Sequence, residues 1–158
     1  MGRRNHIINE NRQRGVGLIE VLIALLVLSF GMLGLAGLQV WSLRYNQSAM
    51  ERGMAVVQTH TIVDAMRADR AAALSGVFDI GFDASPPTGA TFPEVSLRAW
   101  RASLTAALGP GATGEIDCDG AVCMIRVRWD DTRGTNVEPD ENGDIPVQLQ
   151  VVTTEVRL

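Results

Sequence analysis

The sequence predicts an α+β protein: one long N-terminal helix, apolar enough in its first half to cross a membrane, packs its second half on a small antiparallel β-sheet head. Three observations predict it. Between Val16 and Val40 only Glu20, Ser29 and Gln39 are neither apolar nor glycine. No proline occurs from residue 16 to 85, and apolar and polar residues recur near helical spacings after residue 42. Toward the C-terminus the period switches from helical to two.

The apolar run is 25 residues long. At about 1.5 Å per residue its helix reaches roughly 37 Å, enough for a hydrocarbon layer of ~30 Å. The alternative, a buried helix of a soluble domain, seldom runs so far without a polar face. Residues 1–15 carry Arg3, Arg4, Arg12 and Arg14 against Glu10, a net of +3. Short basic segments stay cytoplasmic. Subtracting that +3 from the formal −4 of the chain leaves −7 for residues 16–158, which this rule places on the far side. An acidic remainder disfavours nucleic acid as main partner. The chain beyond the span is long enough for one small domain, so residues 76–158 read as a head and residues 42–75 as the amphipathic half of the helix.

The second half of the long helix is expected to run on to Leu74 and end at Ser75-Gly76. Leu43, Met50, Met54, Val57 and Met66 form its expected core stripe; Arg44, Glu51, Arg52, Arg67 and Arg70 supply polar faces. Residues 76–93 read as a linker or loop by their glycines and prolines. A second helix comes next: Thr91 and Glu94 have capping-box spacing, Leu97, Trp100, Leu104 and Leu108 line one side, and Gly109-Pro110-Gly111 closes it. Gly114 to Cys118 is a candidate strand. Cys123, Ile125, Val127 and Trp129 alternate with Met124, Arg126 and Arg128 as a half-buried strand should. In "VQLQVVTTEVRL" Val147, Leu149 and Val151 take one face and Val152, Val156 and Leu158 the other, which predicts a bulge near Val151-Val152.

Cys118 and Cys123 are the two cysteines, on the side where an oxidising compartment lets a disulfide persist. An Asp119-Gly120 turn would put them out of register. A four-residue loop from Asp119 to Val122 places them opposite each other. Closing so small a ring contributes about 2 kcal/mol in the chain-entropy model; two free structural thiols are the alternative. Asp140, Asn142 and Asp144 have the alternate spacing of oxygen ligands for calcium but lack the EF-hand order, so a solvated turn is the default. His60, one histidine on a long helix without a cysteine or serine partner, gives no basis for a nucleophilic or zinc site. No metal, cofactor or catalytic residue is predicted.

Glu20 is the anomaly. An acid costs about 2.5–3.5 kcal/mol at mid-membrane and less near the interface, so keeping it needs an offset; a tolerated interfacial acid without a partner is the plain alternative. Gly15 lies between the basic stretch and the apolar run. An ordinary secretory signal is cut after its apolar core; a cut after Gly15 would instead keep that core and leave Val16 with a free amine and Glu20 as fifth residue. "RGVGLIEVLIALLVL" thereby resembles the class III signal of type IV prepilins and type II secretion pseudopilins. "NQSAMERGMAVVQTHTIVDAMRADRAAAL", residues 46–74, together with "LIEVLIALLVLSFGMLGLAGLQ", is similar to the PilV family of type IV pilus modification proteins. The resemblance covers about the first half of the chain.

The resemblance implies a pilin-like fold, with residues 1–15 a cleaved leader and residues 16–41 the transmembrane or filament-core half of the helix. It implies cleavage by prepilin peptidase between Gly15 and Val16, N-methylation of Val16, and pairing of Glu20 with the N-terminal amine of a neighbouring subunit. Val16 stands where the family commonly has phenylalanine and Gly17 where it often has threonine, which bears on methylation more than on the cut. Major pilins often have a proline within this helix; here Gly31, Gly34 and Gly37 occupy that neighbourhood, as a local weak point or as a close-packing stripe. Implied partners are other minor pilins, the major pilin, the inner-membrane assembly platform, and membrane lipid before assembly. The implied location is the bacterial inner membrane, head periplasmic, then the pilus. A type II secretion pseudopilin, an adhesin subunit and an anchored enzyme are the other readings.

Overall fold

The structure is a computed structural model describing residues 17–132, 134 and 137–158. The chain divides into two units, Met1–Val40 and Trp41–Leu158. Helix α1, Leu18–Ala68, contributes to both. Its described residues in the first unit are all exposed, and the helix is long and apolar enough to cross a membrane. Ser29, the polar residue inside this stretch, donates its hydroxyl to the Leu25 carbonyl at 2.7 Å and so hides its polarity in the helix itself.

The second unit is an α+β domain in which the rest of α1 packs on a three-stranded antiparallel sheet, order β1-β2-β3. The buried face of α1 is Glu51, Ala55, Thr59, Ile62, Val63 and Met66. That corrects the expected stripe: Leu43, Met50, Met54 and Val57 are 69, 61, 41 and 59% exposed, and of the five only Met66 is buried. Glu51, assigned to a polar face, is inside. The reason is the size of the opposing side chains. The indole of Trp129 reaches α1 at Glu51 and that of Trp100 at Gln58. Small side chains, Ala55 and Thr59, occupy the same face beside them.

The helix also stops earlier than expected. Asp69 leaves helical geometry (φ −123°, ψ 65°), and its carboxylate caps a separate short helix, α2 (Arg70–Leu74), by accepting the Ala72 amide at 3.2 Å. Gly76, at φ +74°, then closes α2: its amide and that of Val77 donate back to Ala73 and Ala72, a reversal needing the left-handed conformation glycine adopts freely. The segment after it is no mere linker. Phe78 and Ile80 are buried, and Ile80 pairs with Ile116 through two backbone bonds of 3.0 and 2.9 Å.

Helix α3, Phe92–Leu108, starts at Thr91, whose amide donates to the Glu94 carboxylate at 3.0 Å, with Pro93 in the first turn where its missing N–H costs nothing. Leu97, Trp100, Leu104 and Leu108 are its buried face, and Gly109 at φ +97° ends it.

Strands β1 (Thr113–Asp119) and β2 (Val122–Asp130) form a hairpin, with β3 (Leu149–Arg157) on the far side of β2. Along β2 the inward residues Cys123, Ile125, Val127 and Trp129 are fully buried, as their alternation predicts. Two expectations need correction. The hairpin loop is two residues, Gly120-Ala121, because Asp119 and Val122 pair and extend the ladder; Gly120, at φ +58°, makes that tight reversal possible. And β3 has no bulge: its register with β2 runs unbroken from Val122↔Arg157 to Asp130↔Leu149. Keeping nine consecutive pairs leaves Leu149 and Val151 exposed. It also turns Gln150 inward, where Arg52 of α1 satisfies its side-chain oxygen at 3.1 Å.

Candidate functional site

Gly15 and Val16 lie outside the described residues. Glu20 is in the first turn of α1, its amide donating to the Gly17 carbonyl at 3.0 Å. A carboxylate there meets the positive end of the helix dipole, a local stabilisation worth about 0.3–1 kcal/mol. An acid costs about 2.5–3.5 kcal/mol at mid-membrane and less near the interface, so the dipole offsets part of the cost. With Val21, Ala24, Leu25 and Leu28, Glu20 lines a shallow groove of about 380 Å³ along an otherwise apolar face. Among the described residues no arginine, lysine or histidine forms an ion pair with it. That face presents one carboxylate amid apolar side chains.

Farther along, α1 continues through Gly31, Gly34 and Gly37, and a methyl group added at any of them would touch nothing within 4 Å. Their spacing of three sets them close to one side of the helix.

In the second unit Cys118 and Cys123 face each other across β1 and β2 and are joined by a disulfide, Cα atoms 4.0 Å apart. Asp140 organises the turn before β3: one carboxylate oxygen accepts the amides of Asn142 and Asp144, each at 2.9 Å, and the Asp140 amide donates to the Asp144 carbonyl. That carboxylate thus serves the turn's own backbone. Among the described residues no three His, Cys, Asp or Glu side chains gather as a metal site would require. His60 is exposed.

The polar groups that sequence reading missed are buried ones. Glu51, 5% exposed, accepts the Trp129 indole N–H at 3.1 Å, and Asp131, fully buried, accepts the Ser48 hydroxyl at 2.7 Å. Both tie α1 to the end of β2. Arg101 on α3 is buried and donates to the carbonyls of Gly81 (2.7 Å) and Phe82 (3.3 Å) and to the Thr113 hydroxyl, pinning the 76–91 segment to β1. Burial, with the like charge of Arg128 behind it, pulls its guanidinium below the usual arginine range, while Asp83 works the other way. Partners 78 and 83 residues away leave no local trace, so no sequence spacing could have found the first two. These bonds fasten helix to sheet; none is arranged as nucleophile and base.

Comparison with known proteins matches residues 11–36 to the family model described as the prokaryotic N-terminal methylation motif. No curated protein and no solved structure matches this chain. The matched residues include Gly15, Val16 and Glu20 and most of the first-unit helix. They support a pilin- or pseudopilin-type protein carrying a prepilin-like signal. A prepilin-like motif implies processing by prepilin peptidase and assembly with other pilins, and the motif together with the long apolar helix fits inner-membrane anchoring.

Proposed function

We propose that this chain is a minor pilin of a type IV pilus, of the PilV type, cut between Gly15 and Val16, methylated at Val16, and acting in priming, assembly or modification of the fibre. It is a structural subunit, and its chemistry is helix packing. One observation carries the reading: within the matched residues 11–36, a glycine stands five residues before a single carboxylate that opens a fully exposed apolar helix.

The cut creates a cation for the carboxylate to pair with. A free α-amine at Val16 of one subunit pairs with Glu20 of the next while the apolar faces bundle. Unit charges about 4 Å apart interact by about 4 kcal/mol at an effective dielectric of 20, enough to exceed the insertion cost of the acid. Residues 46–74 favour a pilus over a type II secretion machine through their similarity to the PilV family.

The test is Glu20→Ala expressed in the native host, with fibres sheared from cells and probed for the protein. The proposal expects normal cleavage and membrane level but loss from the fibre fraction. Wild-type incorporation would refute the pairing. A deletion strain that keeps its pili but loses type II secretion would move the protein to the secretion machine, and one that keeps its pili but loses attachment would make it an adhesin.

A further inference from the structure

Trp41 directly follows Val40, the last residue of the apolar run, and α1 continues unbroken through both. Within the second unit, the next three turns of this helix and the end of β2 enclose a groove of about 580 Å³, lined chiefly by Trp41, Arg44, Tyr45, Ser48, Arg52 and Asp131. Trp41 and Tyr45 are exposed and meet edge to face, ring centroids 6.3 Å apart at 65°. Arg44 and Arg52 are exposed on the same stretch.

We infer that this groove holds the head group of an anionic phospholipid, in the leaflet at the C-terminal end of the membrane span. The inference rests on the membrane-anchored reading of the apolar run. Four features point to this occupant.

Position comes first. A run of roughly 37 Å exceeds a ~30 Å hydrocarbon layer, so the residues just after it fall in the polar head-group layer. Chemistry is second: tryptophan and tyrosine are the side chains that favour that layer, their rings against acyl chains and their N–H and O–H toward water. Third is charge. Among the described residues two guanidiniums and one carboxylate line the groove, and Asp131 accepts the Ser48 hydroxyl. Arg52 donates to the neutral Gln150 and forms no ion pair among the described residues. Guanidinium donors match phosphate oxygens in geometry as well as sign. Direction is last: helical side chains lean toward the helix N-terminus, the end of α1 that carries the apolar run.

The experiment uses the full chain in vesicles mixing phosphatidylcholine with phosphatidylglycerol, one or the other carrying brominated acyl chains. Trp100 and Trp129 are 2% and 0% exposed, against 54% for Trp41, so contact quenching reads Trp41. The expected preference for phosphatidylglycerol at Trp41 is about 5- to 30-fold, the attraction of one or two basic residues to an anionic surface. Arg44→Gln/Arg52→Gln should bring it to about 1- to 2-fold on the same scale, while Arg52→Lys keeps most of it. An unchanged near-ultraviolet circular dichroism spectrum verifies that the variants fold.

No preference in the wild type overturns the inference, as does a preference that survives the double substitution. Quenching abolished by millimolar soluble glycerol phosphate would make this a free-phosphate site and overturn the lipid assignment. A chain that fails to enter the vesicles contradicts the membrane reading beneath it, a result distinct from insertion without preference.

Discussion

Gly114 offers the sharpest test of how the head is packed. It sits in β1 opposite Val127, and the indole of Trp100 from α3 lies directly against its Cα. A Cβ added there would fall 2.7 Å from Cζ2 and 2.9 Å from Cζ3 of that ring, and closer still to Cη2. The ring has nowhere to withdraw, being 2% exposed, and its Nε1 donates to the Gln58 carbonyl of α1 at 3.0 Å. Gly114→Ala therefore forces either β1 or the indole to move. Overpacking of this kind costs about 1–3 kcal/mol, and the lost hydrogen bond about 0.5–1.5 kcal/mol. Relief of glycine's strand penalty returns roughly 0.5–1 kcal/mol. The net is a destabilisation of about 2–3 kcal/mol, which for a unit of this size lowers Tm by about 8–12 °C. The assay is a thermal melt of the full chain in detergent, followed by near-ultraviolet circular dichroism. A double-mutant cycle with Trp100→Phe sharpens it: the smaller ring vacates the space, so the pair should lose less than the sum of the two single changes. A Gly114→Ala melting point within about 2 °C of wild type, or strict additivity with Trp100→Phe, would refute the packing argument.

The head yields three further expected outcomes. Burial raises the Asp79 carboxyl above its usual range, with Asp117 adding to the effect and the Cys118 amide opposing it. A raised folded-state value means that protonation favours the fold, so this contribution is present in acid and lost as pH rises through the folded value. Asp79→Asn should thus melt at or above wild type at neutral pH, the difference closing in acid; a lower melting point at pH 7 contradicts it. Glu94 behaves oppositely: the hydroxyl and amide of Thr91 hold its carboxyl below the usual glutamate range. Its contribution is present above the unfolded value and lost as pH falls through the folded one, so Glu94→Gln should destabilise α3 at neutral pH and match wild type in strong acid, as tracked by far-ultraviolet melts. Reducing the Cys118–Cys123 bond opens a ring closed over a separation of five residues, which should remove about 2 kcal/mol and about 8 °C of Tm; an unchanged melt under reductant would contradict that.

Local chemistry decides the features that are legible in the sequence. The α3 face of Leu97, Trp100, Leu104 and Leu108, its start at Thr91 and Glu94, and the alternation along β2 each depend on neighbours a few residues away. Sequence and structure part where a distant partner decides. Met50, Met54 and Val57 have larger apolar side chains than Ala55 and Thr59, yet the face of Ala55 and Thr59 is buried, because α3 and β2 bring the indoles of Trp100 and Trp129 against it. Glu51 reads as a surface acid, since nothing near it in sequence reveals Trp129. Phe78 and Ile80 are hidden among turn residues, their burial depending on the bridge to Ile116. The absent bulge in β3 has the same origin: alternation points to a switch of faces, but an unbroken ladder outweighs two exposed aliphatic side chains. The candidate site is different in kind. Gly15, Val16 and Glu20 lie within one short linear segment, which a sequence pattern can capture without any distant partner, and the matched residues 11–36 contain all three.

The intact mass of the chain recovered from cells of its native host tests the central claim most directly. The account predicts a polypeptide that begins at Val16, carries one added methyl group, and retains the entire apolar helix with Glu20 as its fifth residue. A chain that keeps its basic leader, or one cut beyond the apolar run, would contradict it.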